Sequence, residues 1–154
     1  RFSSATQQTS PGSNDGRNMP TEHCPECEPD APCKGKHVYV LTLPDHVGSD
    51  FKKPMGKGLL YVGTTGKSVT QRFDDNWKEN SDGSWKYDSP SAKRIRIAGK
   101  EARLAPEFYR EFNPVENQPD AELGLALLLQ GSGYHVRCDA LRALRRSLRK
   151  SRKK

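Results

Sequence analysis

From residue 37 onward, short runs of β-branched and aromatic residues alternate with polar breaks marked by glycine and proline. The run HVYVLTL at 37–43 closes on Pro44 and predicts a strand; LLYVGT at 59–64 predicts a second, ahead of the break at Gly66. Residues 44–58 between them read as a long hairpin loop. Ser68 with Gln71 three positions on fits a capping box, so a helix over 69–79 is expected, with Val69, Phe73 and Trp77 as its buried stripe and Arg72 and Asn76 on an adjacent face. Residues 80–92 are polar and turn-rich. Residues 93–98 alternate Ile95 and Ile97 with Arg94 and Arg96, a pattern open to strand or helix. Pro106 opens a short helix through residue 112, ended by Asn113-Pro114. Asp120 is a good N-cap for a helix that is apolar nearly all round (Leu123, Leu125 to Leu129), which predicts a place central to the core, ending at Gly131 and Gly133. Residues 134–136 suggest a last short strand. Leu141, Leu144 and Leu148 recur at helical spacing among arginines, predicting a basic amphipathic helix over 139–154. The expectation is a small α+β fold, with a mixed or antiparallel three-stranded sheet flanked by helices.

Composition narrows the folded part. Hydrophobic residues are 32% of the 154, against ~45–50% in ordinary globular chains. Residues 1–22 are Ser, Thr, Gln, Asn, Gly and Pro with almost nothing to bury, and read as a disordered leader. The domain is therefore expected over 37–138, between a Cys-rich segment at 23–36 and a basic tail at 139–154. The net charge of +7 is lodged in that tail, where eight basic residues face Asp139 alone; the other 18 basic and 18 acidic side chains cancel. No window approaches the ~18 consecutive apolar residues of a membrane span, and no apolar leader marks a secretion signal. An intracellular location and no membrane partner are expected. The chain starts without Met, as a fragment or processed form does.

Three of the four cysteines cluster. Cys24, Cys27, Cys33 and His37 offer three thiols and an imidazole within 14 residues, a set suited to tetrahedral Zn²⁺, with His23 to spare. In a chain without a secretion signal this spacing suggests a structural metal before a disulfide. The alternative is reduced thiols in an unstructured leader; Cys138 reads as a lone thiol, or else as the fourth ligand.

Glu122 is out of place in a leucine- and alanine-rich helix. Either it complements the helix dipole or it points into a site. Val38-Tyr39-Val40 followed by Tyr61-Val62-Gly63 resembles the paired motif of the GIY-YIG nucleases. Arg72, eleven residues after Tyr61, stands where that family carries a helical arginine, and Glu122, eleven residues before Gly133-Tyr134, where it carries a metal-binding glutamate. Residues 104–109 and Asn113-Pro114 are similar to the stretch small bacterial members carry between helices. The resemblance covers about 37–138. His37 replaces the first motif glycine, Asn76 stands where the family has His or Tyr, and no Asn follows Glu122. Asn hydrogen-bonds but takes no proton at neutral pH.

What the resemblance implies is hydrolysis of DNA phosphodiesters with one divalent ion, Mg²⁺ or Mn²⁺, held by Glu122. Arg72 would clamp the non-bridging oxygens with its planar fork. Tyr39 or Tyr61 would orient or deprotonate the water. A free phenol titrates near ~10, so a cation would have to lower it, with Lys67 as a helper. Arg145, Arg146 and Arg149 of the tail, and Lys93, Arg94 and Arg96 with Lys100 and Arg103, would hold the DNA backbone without reading sequence. Specificity would come from DNA structure or a protein partner. Two rivals stand beside this reading: a nucleic-acid-binding module of the same fold with a decayed site, and a zinc-knuckle RNA-associated protein. The second is weakened by the lack of aromatics among the cysteines.

Overall fold

The computed structural model describes residues 35–48 and 56–154. Cys24, Cys27, Cys33 and the leader lie outside them, so the zinc expectation meets the structure only at His37.

Two seven-residue strands, β1 (His37–Leu43) and β2 (Leu59–Thr65), pair antiparallel along their whole length. Both are nearly continuous runs of buried apolar residues because the sheet is covered on both faces. The sheet has four strands, not three, in the order β3-β1-β2-β4. β3 (Arg103–Leu104) is a two-residue edge that pairs with β1 at Leu41 and Thr42. It is too short to leave a periodic signal in the sequence. β4 (His135–Cys138) runs parallel to β2 and carries the last predicted strand one residue later and two residues further than expected. Beyond β3 the edge of β1 is completed by a side chain: Asn113 accepts from Val38 N at 2.9 Å and donates to Val38 O at 2.8 Å. A buried amide that mimics a strand partner satisfies both backbone groups.

Four helices cover the sheet. α1 (Val69–Asp74) begins as expected, with Ser68 Oγ accepting from Gln71 N, but it is six residues long and tightens into a 3₁₀ turn at Asp75–Trp77. The predicted stripe survives: Val69 is fully buried, and Phe73 and Trp77 pack on the core with ring centroids 4.9 Å apart. α2 (Pro90–Ala98) resolves the ambiguous alternation as helix, capped by Ser89, with Ala92, Ile95 and Ala98 inward and Ile97 outward. In place of one helix over 106–112 there are two 3₁₀ turns, Pro106–Phe108 and Arg110–Phe112. α3 (Gln118–Gly131) is capped by Asn117, not Asp120: the Asn117 Oδ1 accepts from Asp120 N at 3.1 Å. α3 buries only Leu125, Ala126 and Leu129, and leaves Leu127 and Leu128 half exposed. It is not central because it lies against the sheet by one face. α4 (Asp139–Ser151) follows β4 directly and buries Leu141. Among the described residues no helix is long and apolar enough to cross a membrane.

Candidate active site

The β1–β2 register sets the first pair of side chains. Tyr39 lies opposite Gly63, and Tyr61 opposite Leu41, so the two tyrosines are diagonal neighbours on one face. Their ring centroids are 6.1 Å apart, at a tilt of 47°. Gly63 makes this possible: a Cβ there would lie 2.7 Å from both Cζ and Oη of Tyr39 and 2.9 Å from Cε1 of Tyr61. Both phenols are buried, and burial is the main reason each resists ionisation. The Arg72 charge pulls Tyr39 the other way without reversing the outcome, and for Tyr61 the neighbouring Tyr39 adds to the rise. The sequence reading asked a cation to lower a tyrosine into the range of a base. Instead, desolvation keeps both protonated.

Arg72 extends from α1 toward Tyr39. Its guanidinium lies over the Tyr87 ring, 5.5 Å from the centroid, and its Nη1 is buried with no hydrogen-bond partner among the described residues. A buried guanidinium N–H without an acceptor is costly unless an anion completes it. Lys67 does not reach the phenols of the site. Its Nζ donates to Asp75 Oδ2 at 2.7 Å and to the Tyr87 hydroxyl at 3.1 Å. Lys78 pairs with the other oxygen of Asp75. Asn76, one turn after Arg72, is buried and turned back onto its own helix, its Nδ2 donating to Phe73 O at 2.8 Å and more weakly to Arg72 O. It holds the α1 terminus and the Arg72 backbone.

Glu122 is the fifth residue of α3, past the first turn where a helix dipole is felt. Its Oε2 accepts from Thr64 Oγ1 at 3.4 Å. Its Oε1 accepts from Cys138 Sγ at 3.2 Å and from Ala140 N, in the first turn of α4, at 3.4 Å. All three donors are neutral, and the bonds from Thr64 and Ala140 are long. The carboxylate is half-buried and near enough for its charge to disfavour ionisation of both phenols. Burial is the first reason the Cys138 thiol is pushed up to about 12, with Glu122 adding to it, so the thiol donates to the carboxylate. Among the described residues no three His, Cys, Asp or Glu side chains converge. A cation at Glu122 would be met by one carboxylate, the Thr64 hydroxyl and water, a donor set that suits a hard, largely hydrated ion.

Several residues of this neighbourhood were not read from the sequence. Tyr61 shares a small cleft with Ser91, whose Oγ donates to Asp139 at 3.4 Å; Asp139 is the first residue of α4. Thr64, Tyr87 and Cys138 complete the surroundings. The signal available was slight: Asp139 is the one acid in the basic tail.

The expected basic faces differ. Arg96 is a structural residue, with only 10% of its side chain exposed: Nη1 donates to Asn76 O at 3.1 Å and Tyr87 O at 2.8 Å, and Nη2 to Asp88 Oδ1 at 2.9 Å. Lys93 pairs loosely with Asp88, at 3.5 Å. Arg94 lines a small cleft with Tyr61, Ser91 and Asp139. Arg145, Arg146 and Arg149 are exposed along α4. His37 is buried in β1, and its Nδ1 donates to Lys67 O at 2.7 Å.

Set against known proteins, the chain matches no family model, no curated protein and no solved structure.

Proposed function

We propose that the chain is a divalent-metal-dependent endonuclease that hydrolyses DNA phosphodiester bonds at the end of the sheet where Tyr39, Tyr61, Arg72 and Glu122 meet. The observation that carries this reading is the convergence itself. Tyr39 and Tyr61 share one face of the sheet, the charges of Arg72 and Glu122 both act on Tyr39, Arg72 keeps an unused buried N–H, and Glu122 is met by neutral donors; the four come from β1, β2, α1 and α3.

The chemistry follows from what each group can do. Arg72 Nη1 takes a non-bridging phosphate oxygen and balances the charge that builds on it. Tyr39 keeps its proton across the neutral range, so its hydroxyl orients the attacking water rather than deprotonating it. Tyr61, packed against Tyr39 on the same face, helps position that ring. Glu122 would hold Mg²⁺ or Mn²⁺, which when bound makes a coordinated water more acidic and offsets charge on the leaving oxygen. Lys67 and Asp75 act at one remove, through Tyr87, in holding Arg72. α4 supplies sequence-independent affinity for phosphates. An intracellular site of action fits such a substrate, and a protein partner would supply targeting. Zn²⁺ on Cys24, Cys27, Cys33 and His37 remains part of the proposal for the segment ahead of β1.

The test is nicking of supercoiled plasmid. The expected result is cleavage with Mg²⁺ or Mn²⁺ that a chelator stops, that metal re-addition restores, and that Glu122→Ala removes. The second reading, a decayed binding module of the same fold, is favoured by one observation: Asn76, where the family resemblance puts a proton-bearing side chain, is spent on the α1 terminus. DNA binding without any metal-dependent nicking would select it.

A further inference from the structure

Between α1 and α2 the chain makes a small hairpin, of which the site described above uses only Tyr87, against Arg72. Glu79 and Trp85 form a β-bridge, and Lys86 N donates to Lys78 O at 2.8 Å. The tip is closed by Asn80 N to Ser84 O at 2.7 Å, by Ser84 Oγ to Asp82 at 2.6 Å, and by Gly83 at φ +84°. This loop is ordered by its own hydrogen bonds rather than by burial. It leaves Trp85 and Lys86 exposed and Tyr87 half-buried. Trp85 is 39% exposed, with the Arg96 guanidinium under its ring at 4.6 Å from the centroid. Arg96 cannot swing away, because its three hydrogen bonds to Asn76, Tyr87 and Asp88 hold it. Two residues on, Tyr87 has three cations around its ring, Lys67, Arg72 and Lys86, at 5.4, 5.5 and 5.8 Å. One of the three is the guanidinium assigned above to the phosphate.

We infer that the Trp85–Tyr87 hairpin is a base-stacking platform for an unpaired nucleotide next to the phosphate held by Arg72. The preferred substrate is then DNA with a single-stranded segment, such as a flap or gap edge, rather than intact duplex. A rigid indole backed by a fixed guanidinium, two residues from a ring with three cations around it, is the kind of arrangement that binds single strands: bases stack on the ring and phosphates meet the charges. In intact duplex the bases are stacked on each other and offer no free face to a side chain. This inference rests on the nuclease reading for the identity of the neighbouring phosphate.

The test has a binding arm and a cutting arm. In chelator, Trp85→Ala is expected to weaken binding of a mixed-sequence single-stranded oligonucleotide by about 5- to 100-fold. The same oligonucleotide as a blunt duplex should bind within a factor of about two of the unaltered protein. Trp85→Phe, which keeps a ring over Arg96, should recover most of the loss. Equal weakening toward both ligands, or no weakening, overturns the inference. So does full recovery by Trp85→Leu, which covers Arg96 without a π face. With Mn²⁺, the unaltered protein should cut a flapped duplex in preference to intact plasmid, and Trp85→Ala should erase the preference. Plasmid nicking with an unchanged preference in Trp85→Ala sinks the platform and leaves the nuclease intact. Single-strand selectivity that depends on Trp85, with no cutting of any substrate, sinks the nuclease and leaves the platform.

Discussion

Gly63 has no room for a side chain, because the Tyr39 and Tyr61 rings occupy the space above it. Gly63→Ala is expected to cost about 1–3 kcal/mol of stability by overpacking, measured by denaturant unfolding. It should also displace the Tyr39 hydroxyl and slow cleavage far more than it slows binding. Tyr39→Phe keeps the ring and removes the oriented hydroxyl, with an expected loss of up to about 10²-fold in rate. Because burial raises both phenols, the rate profile of the unaltered protein should show no phenol inflection between about pH 6 and 9. An inflection in that window that disappears in Tyr39→Phe would contradict the assigned role. Asp75 behaves in the opposite sense. Burial pushes its carboxyl up, but the hydrogen bonds from Lys67 and Lys78 outweigh that and hold it below the ordinary value of 3.8. A depressed carboxyl stabilises the fold fully above its unfolded value, and that stability is lost as pH falls through the folded one. Thermal stability should therefore drop below about pH 4, and the drop should be shallower in Asp75→Asn. That variant should itself be about 1–3 kcal/mol less stable at neutral pH, a discounted figure because both lysines are half exposed. At this scale the strands were legible in the sequence, and with their register they place the Tyr39 and Tyr61 rings over Gly63. Ser91, Asp139 and Asn113 were not legible, since each reaches its partner across 30 or more residues and nothing local announces the contact.

The elements show what periodicity can and cannot reveal. β1 and β2 are readable because β-branched runs between breakers have few other outcomes. β3 is two residues long and carries no pattern at all. α1 ends early because Asn76 Nδ2 and the Asp75 backbone N–H turn back onto its last carbonyls, replacing the continuation that the Val69–Phe73–Trp77 stripe suggested. α3 starts three residues early because Asn117 caps it, and Glu122 thereby moves from the dipole-rich first turn to a position facing Thr64, Cys138 and the start of α4. α4 makes a prediction of its own. Arg145, Arg146 and Arg149 are exposed, so changing all three to Gln should leave stability unaltered within about 0.5 kcal/mol. The slope of log binding constant against log salt should fall by up to about 3. An unchanged slope would remove α4 from the nucleic-acid contact.

At the scale of the molecule, a body with balanced charges carries the site and one helix carries the excess. On the proposed reading, affinity and chemistry would lie on separate elements that meet where α4 begins, at Asp139 and Ala140 beside Glu122 and Ser91. The proposed site takes four side chains from four elements, Tyr39 of β1, Tyr61 of β2, Arg72 of α1 and Glu122 of α3. The measurement that tests this most directly is metal-dependent nicking by the unaltered chain, Arg72→Ala and Glu122→Ala, with folding and DNA binding followed in parallel. The expected result is loss of nicking by about 10²–10³-fold in each variant, with DNA binding still carried by α4 and an unchanged circular dichroism spectrum. Nicking by Glu122→Ala at the rate of the unaltered protein, or cleavage indifferent to chelator, would contradict the account.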